Sequence, residues 1–248
     1  MLGGGGGMNP YYADECVTLY HGDALAVLAS LPTASVDAIV TDPPYKLSQE
    51  YGATTDPDNL LAVSSILTVA PQMFRTAKPG ALCAMFYDTR ILPLALHAMN
   101  LAGWKYVRAL TLYRRWGSAS LMSGWMSTSD FVLIFAKPGG KPRFYGNPKH
   151  DVYIKEGPEP ESFGHPAQKP IAPVRHIISN VCPPDGLLLD PYMGSGTTGA
   201  AAVIECRKFI GVEMVEHYAE VAKRRILTEL GERTEATEQD VLDFGEPA

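Results

Sequence analysis

Apolar residues in this chain fall into short continuous runs separated by turn-forming residues, with stretches of helical spacing between the runs. Val17-Thr18-Leu19-Tyr20, Val36-Asp37-Ala38-Ile39-Val40-Thr41, Ala81-Leu82-Cys83-Ala84-Met85-Phe86-Tyr87, Leu187-Leu188-Leu189-Asp190 and Phe209-Ile210-Gly211-Val212-Glu213 have the length and continuity of buried strands. Helices are predicted from Asp23 through about Ala29, over 58–76 (with Leu61, Ile66, Val69 and Phe74 among the apolar positions), over 91–101, over 171–181 and over 217–230. Lys78-Pro79-Gly80 stops the second of these, Gly103 ends the third, Pro170 suits the first turn of the fourth and Gly231 caps the last. Segments 106–113 and 131–135 read as a strand pair. Strands alternating with helices predict an α/β fold built on a mostly parallel sheet.

Length agrees with one such domain, since 248 residues with 46% hydrophobic content suffice for a single core. No run reaches the ~18 apolar residues of a membrane span, and no basic leader precedes an apolar segment, so a cytoplasmic protein is expected. Cys16, Cys83, Cys182 and Cys206 are scattered without a Cys-x-x-Cys pair, which predicts reduced thiols and neither a metal site nor a disulfide framework. The net charge of -6 argues at first against a nucleic-acid partner, but the charge is segregated. Between Trp104 and Lys155 nine Lys or Arg face two acids, a surplus of +7 that leaves -13 on the remainder. A basic middle on an acidic body fits either a duplex-facing surface or an ordinary solvated face.

Two motifs carry candidate chemistry. Asp42-Pro43-Pro44-Tyr45 follows a buried-strand pattern, at the sheet edge where open α/β folds place ligands. Each proline fixes its own φ and biases the residue before it towards extended backbone, so the loop is stiff. It offers the Asp42 carboxylate and the Pro43 carbonyl as acceptors and Tyr45 as a flat face, a match for a planar base with an exocyclic NH2. A proline-stiffened turn without chemistry fits the same four residues. The second motif, Asp190-Pro191-Tyr192-Met193-Gly194-Ser195-Gly196-Thr197-Thr198-Gly199, is a glycine-rich turn between an apolar strand and a small-residue helix. Glu213, 17 residues past Gly196, ends the next strand, where an acid accepts from ribose hydroxyls. The glycines also match a dinucleotide fingerprint. A nicotinamide-binding domain needs several further strand–helix units, however, and only 35 residues follow Glu213. The missing strands must lie upstream, so the sheet is circularly permuted.

Asp-Pro-Pro-Tyr in the amino-terminal part, Gly-Ser-Gly-Thr in the carboxyl-terminal part, and His165-Pro166-Ala167-Gln168-Lys169-Pro170 and Gly22-Asp23-Ala24-Leu25 as supporting stretches resemble the β-class S-adenosylmethionine-dependent DNA amino-methyltransferases. These include phage and restriction–modification enzymes that methylate adenine N6 or cytosine N4. The resemblance runs from about Val17 to Leu230. It implies a Rossmann-like methyltransferase fold with a circularly permuted seven-stranded sheet, S-adenosyl-L-methionine as cofactor, double-stranded DNA as partner and a homodimer. Asp42, Pro43, Pro44 and Tyr45 become the catalytic loop. Asp23, Ala24, Asp42, Gln168, Lys169, Asp190, Pro191, Gly194, Ser195, Gly196, Thr197 and Glu213 become cofactor residues, with Asp23 on the adenine, Glu213 on the ribose and Lys169 on the carboxylate. Asp23 reads equally as a helix N-cap.

The same resemblance divides the chain into a flexible leader (1–12, with five consecutive glycines), a catalytic half (13–136), a short target-recognition region (137–164), a cofactor-binding half (165–231) and an acidic, frayed tail (232–248). Residues 46–55 take the place of a mobile cover over the base. Arg114, Arg115, Lys141 and Arg143 are the expected DNA contacts. Trp116 and Trp125 are either core residues or a wedge at the vacated base, and Ser129-Asp130 stands where relatives carry His-Glu. Asp rather than Ser at the head of the motif favours adenine N6 over cytosine N4. An RNA or protein methyltransferase, or a nicotinamide-dependent oxidoreductase, are the more distant alternatives.

Overall fold

The computed structural model describes residues 8–44, 60–119, 125–146, 149–155 and 169–243. In chain order the elements are β1 (Tyr12–Ala13), β2 (Val17–His21), α1 (Ala24–Ser30), β3 (Val36–Thr41), α2 (Leu60–Thr76), β4 (Ala77–Tyr87), α3 (Leu92–Leu101), β5 (Lys105–Ala119), β6 (Met126–Ala136), β7 (Val152–Lys155), α4 (Ile171–Val181), β8 (Leu187–Asp190), α5 (Thr197–Ile204), β9 (Lys208–Glu213) and α6 (Glu216–Asp243). The strands form one sheet in the order β1-β2-β9-β8-β3-β4-β6-β5-β7. The inner seven are the expected ones: β2, β9, β8, β3 and β4 pair in parallel, and β6 runs antiparallel between β4 and β5. Two short strands extend the edges, with β1 antiparallel to β2 and β7 parallel to β5.

Both faces of the sheet are covered, which is why its central strands read as unbroken apolar runs. Along β4, Leu82, Ala84 and Phe86 point to the side packed by α4, α5 and α6, while Cys83, Met85 and Tyr87 point to the side packed by α1, α2 and α3. The permuted order follows from the pairing. Strand β8, late in the chain, lies against β3, and β9 lies against β2, so the glycine-rich unit sits at the centre of the sheet.

Three boundaries differ from the sequence reading. The end of the expected leader belongs to the fold: the Tyr11 backbone N–H donates to the Leu19 carbonyl at 2.8 Å, its hydroxyl donates to Glu220 Oε2 at 2.6 Å, and both Tyr11 and Tyr12 pack on the core. Lys78-Pro79-Gly80 does stop α2, but it does so from within β4. There Gly80, at φ +81, passes so close to Lys141 that an added Cβ would meet its carbonyl oxygen at 2.8 Å. At the other end α6 continues through Gly231 to Asp243 where a cap and a frayed tail were expected. A glycine in a helix interior costs only about 1 kcal/mol, and the Glu, Ala, Gln and Leu that follow are good helix formers.

Cys83 and Cys182 are buried and burial pushes both thiols up, Cys182 to about 12, whereas Cys206 is exposed. No helix among the described residues is long and apolar enough to cross a membrane.

Candidate active site

The carboxyl end of β3 places Thr41, Asp42 and Pro43 at the same sheet edge as the turn after β8. Thr41 is buried, and its hydroxyl donates to Asp190 Oδ1 at 2.7 Å; the Tyr192 backbone N–H donates to the same oxygen at 3.0 Å. A hydrogen bond from the Thr198 side chain completes the set. Asp190 is thus the joint between the two motifs, and it is only 1% exposed. Burial pushes its carboxyl up to about 7, against the three hydrogen bonds that favour the anion, and the neighbouring Asp42 charge adds to the rise.

This rise has a measurable consequence. An acid that binds its proton more tightly folded than unfolded makes stability fall as pH rises from about 4 to about 7. Asn at position 190 removes that contribution while keeping an acceptor for Thr41 and Tyr192. The melting temperature of Asp190→Asn relative to wild type is therefore expected to be higher at pH 8 than at pH 5. Thermal melts at the two pH values check it, and an unchanged difference contradicts it.

The glycine-rich turn is held from behind. The Met193 N–H donates to the Val212 carbonyl and the Gly196 N–H to the Met193 carbonyl, both at 2.9 Å. Gly194 and Gly196 both take left-handed backbone, at φ 51 and φ 83. Behind Gly196, Ala222 of α6 lies so near that an added Cβ would meet its Cα at 2.8 Å. Ser195, Thr197 and Thr198 are buried where α5 begins, and Pro191 is buried beside them. Glu213 reaches back into this turn: its carboxylate accepts from the Gly194 N–H at 3.0 Å and the Val215 N–H at 2.8 Å. Burial raises its carboxyl, while these backbone donors and the nearby His21 oppose the rise. Register pairing sets His21 against Glu213, and the Gly22 N–H donates to the Glu213 carbonyl at 2.9 Å, so Asp23 and the buried Ala24 stand beside the acid. Asp23 is indeed the N-cap of α1, accepting from the Ala26 N–H at 2.9 Å.

Lys169, just ahead of α4, takes an unexpected direction. Its ammonium contacts Asp42 Oδ2, with the two side chains only 16% and 24% exposed, and lies 5.3 Å from the centre of the Phe86 ring. Its carbonyl accepts from the Thr197 hydroxyl at 3.3 Å, and that hydroxyl accepts in turn from Arg225 Nη1 at 2.8 Å. Sequence reasoning missed Thr41 and Arg225. The inward face of α6, with Tyr218, Ala219, Ala222 and Ile226 buried, carries Arg225 at matching helical spacing, a signal that was available.

The expected DNA contacts separate. Arg114 pairs with Asp130 Oδ1 at 3.5 Å and registers with Lys155, beyond the strand end at Tyr87 and on the edge that carries Asp42. Trp125, immediately ahead of β6 at that edge, is 81% exposed and not core. Lys141 and Arg143 lie at the opposite edge: Lys141 stands against Gly80 near the start of β4, and just beyond Arg143 the Tyr145 N–H donates to the carbonyl of Asn180 at 2.9 Å, where α4 ends. The reason is topological. Antiparallel β6 carries the chain away from the edge that holds Asp42, so the residues that follow it start on the far side. Tyr45, Gln168 and the Arg115 and Trp116 side chains lie outside the described residues, as do residues 46–55. Among the described residues no cluster of three or more His, Cys, Asp or Glu is disposed to hold a metal.

Comparison with known proteins bears on this arrangement. The family described as DNA methylase matches residues 36–224. DNA adenine methyltransferase YhdJ of Escherichia coli is 29% identical over 247 residues, covering 87% of this chain and 84% of that protein. Type II methyltransferase M.ScaI of Streptomyces caespitosus is 25% identical, covering 89% and 84%. Among solved structures, M1.HpyAVI in complex with SAM superimposes with a TM-score of 0.69 at 25% identity, covering 85% of this chain and 98% of that one. The cytosine-N4-specific PvuII DNA methyltransferase superimposes with a TM-score of 0.74 at 20% identity, covering 88% and 89%.

Proposed function

The chain belongs to the DNA methylase family of N6- and N4-amino methyltransferases, and from that membership we propose that it methylates N6 of adenine in duplex DNA, with S-adenosyl-L-methionine as methyl donor. The supporting observation is the joint at Asp190, through which Thr41 ties the Asp42 loop to the glycine-rich turn. A stiff acceptor for an amine is thereby held beside a cradle for a nucleoside amino acid. That cradle suits the donor chemically. Glu213 and Asp23 supply acids for hydroxyls and an adenine amine, and the amino terminus of α5 supplies backbone donors for a carboxylate. When bound, S-adenosyl-L-methionine supplies a methyl group already activated by its positive sulfur.

The chain's own residues then position and polarise. Asp42 and the Pro43 carbonyl accept from the exocyclic amine of an extrahelical base, drawing its lone pair out of the ring, and Tyr45 offers the stacking face. The Asp42 charge favours the positive charge that develops on the amine, an interaction strongest in the transition state. Arg114 and Trp125 belong to the duplex-facing surface at this edge, without Lys141 and Arg143. Adenine is favoured over cytosine because Asp opens the motif and because the relative YhdJ is an adenine methyltransferase.

Incubation with S-adenosyl-L-methionine and mixed-sequence duplex DNA, followed by digestion to nucleosides and mass spectrometry, tests the assignment. N6-methyladenine is the expected product. N4-methylcytosine would overturn the choice of base, and methylation of RNA or protein alone would overturn the substrate.

A further inference from the structure

The resemblance assigns Lys169 to the cofactor's carboxylate, yet its ammonium lies on Asp42. We propose that Lys169 is a positioning residue for methyl transfer: it fixes the orientation of the Asp42 carboxylate and couples that orientation to the start of the cofactor helix. The proposal rests on the methyl-transfer reading above and adds a residue to it.

Two prolines stiffen the backbone after Asp42 but do not fix the direction of its carboxylate, which a contact to the carboxylate itself can hold. Lys169 makes that contact where water competes weakly, since both side chains are mostly buried. The lysine is itself restrained from below, with Phe86 placing the face of its ring 5.3 Å from the ammonium. A carboxylate has two oxygens and about four acceptor sites, so one ammonium on Oδ2 leaves capacity for a base amine.

The same residue is tied to the other half of the site through its main chain. Its carbonyl accepts from Thr197, the first residue of α5, whose hydroxyl is held by the buried Arg225. A shift at the start of α5 is therefore passed to the backbone that carries the ammonium. Side chain and carbonyl of one residue span the catalytic loop and the cofactor helix, an arrangement that a carboxylate ligand alone would not need.

The test compares full-length wild type, Lys169→Met, Lys169→Arg, Asp42→Asn and the Asp42→Asn/Lys169→Met double variant. Single-turnover methyl transfer to duplex DNA is measured at saturating S-adenosyl-L-methionine, with cofactor affinity measured separately by calorimetry. Wild-type methylation is established first. Its absence would defeat the functional reading rather than this one. Lys169→Met is expected to slow transfer about 100-fold, the order expected for a misplaced reacting group, with cofactor affinity changed less than about threefold and Lys169→Arg recovering part of the rate. In the Asp42→Asn background the same substitution is expected to cost less than about threefold, because its effect runs through the carboxylate. A rate unchanged at saturation with weakened cofactor binding would overturn the proposal and return Lys169 to the cofactor. Equal losses in both backgrounds would overturn it too. Should the Asp42→Asn rate fall below detection, the split between rate and affinity in Lys169→Met alone decides.

Discussion

Asp42→Ala is expected to slow methyl transfer about 1,000-fold or more while leaving S-adenosyl-L-methionine binding close to wild type. The asymmetry follows from where the residue stands. Asp42 leaves β3 at the edge where the proposed function puts the base. The hydrogen bonds that Glu213 and Asp23 accept from the Gly194 and Ala26 N–H groups do not involve it, and Thr197 at the start of α5 is held by Arg225 and by the Lys169 main chain and not by the carboxylate itself. The amine lone pair of adenine is delocalised into the ring, so an unassisted amine is a poor nucleophile. Removing the carboxylate removes both an acceptor that polarises the amine and the charge that favours its developing positive form. Mutations that remove interactions made chiefly in the transition state lower the rate without weakening ground-state binding. Single-turnover kinetics and calorimetry on the same preparation check both halves. A variant that keeps more than about a tenth of the wild-type rate would show that Asp42 is part of a stiff turn and little else.

Gly196→Ala is expected to produce the largest combined loss of stability and cofactor affinity of any single methyl addition in the turn. At φ 83 an alanine meets the left-handed penalty of about 1–2 kcal/mol, and its Cβ would stand 2.8 Å from the Ala222 Cα. The obstacle is backbone of a packed helix and cannot rotate away, which adds roughly 1–3 kcal/mol of overpacking. The sum corresponds to a fall in melting temperature of about 5–15 °C for a chain of this size. Displacing the amide donors of the turn is also expected to weaken S-adenosyl-L-methionine binding by about tenfold or more. Gly194→Ala, at φ 51 near the centre of the left-handed α region, is expected to be milder. Melting curves and calorimetry on the two variants rank them, and equal effects would refute the role given to Ala222.

The parts of this architecture legible in the sequence are those with local causes. β3, β8 and β9 show as continuous apolar runs because helices cover both their faces, and the cofactor turn shows because left-handed backbone selects glycine. β1 and β7 were invisible because strands of two and four residues at the edges are only partly buried and too short for a periodic pattern to stand out. Charge along the chain proved a poor guide to charge in space. β6 spans 11 residues, about 33 Å at the rise of an extended strand, and this is enough to set Arg114 and Lys141 at opposite edges. The His-Pro-x-Gln-Lys-Pro resemblance pointed Lys169 at a cofactor carboxylate, but the direction of its side chain depends on Asp42, 127 residues away, a pairing no local pattern encodes.

That separation has a consequence in time. The Thr41–Asp190 bond joins residues 149 apart, and β3 has β4 on one flank and β8 on the other. A chain leaving the ribosome completes β1 to β7 with one flank of β3 open and no partner for Thr41. Only when β8 and β9 have emerged can they slot between β3 and β2 and close the sheet. Pairings of this sequence separation are slow to form, so acquisition of the site is set by the last stage of synthesis and folding. A nascent or truncated chain therefore carries the Asp42 loop without the means to use it, and methylating competence is gained in one late step.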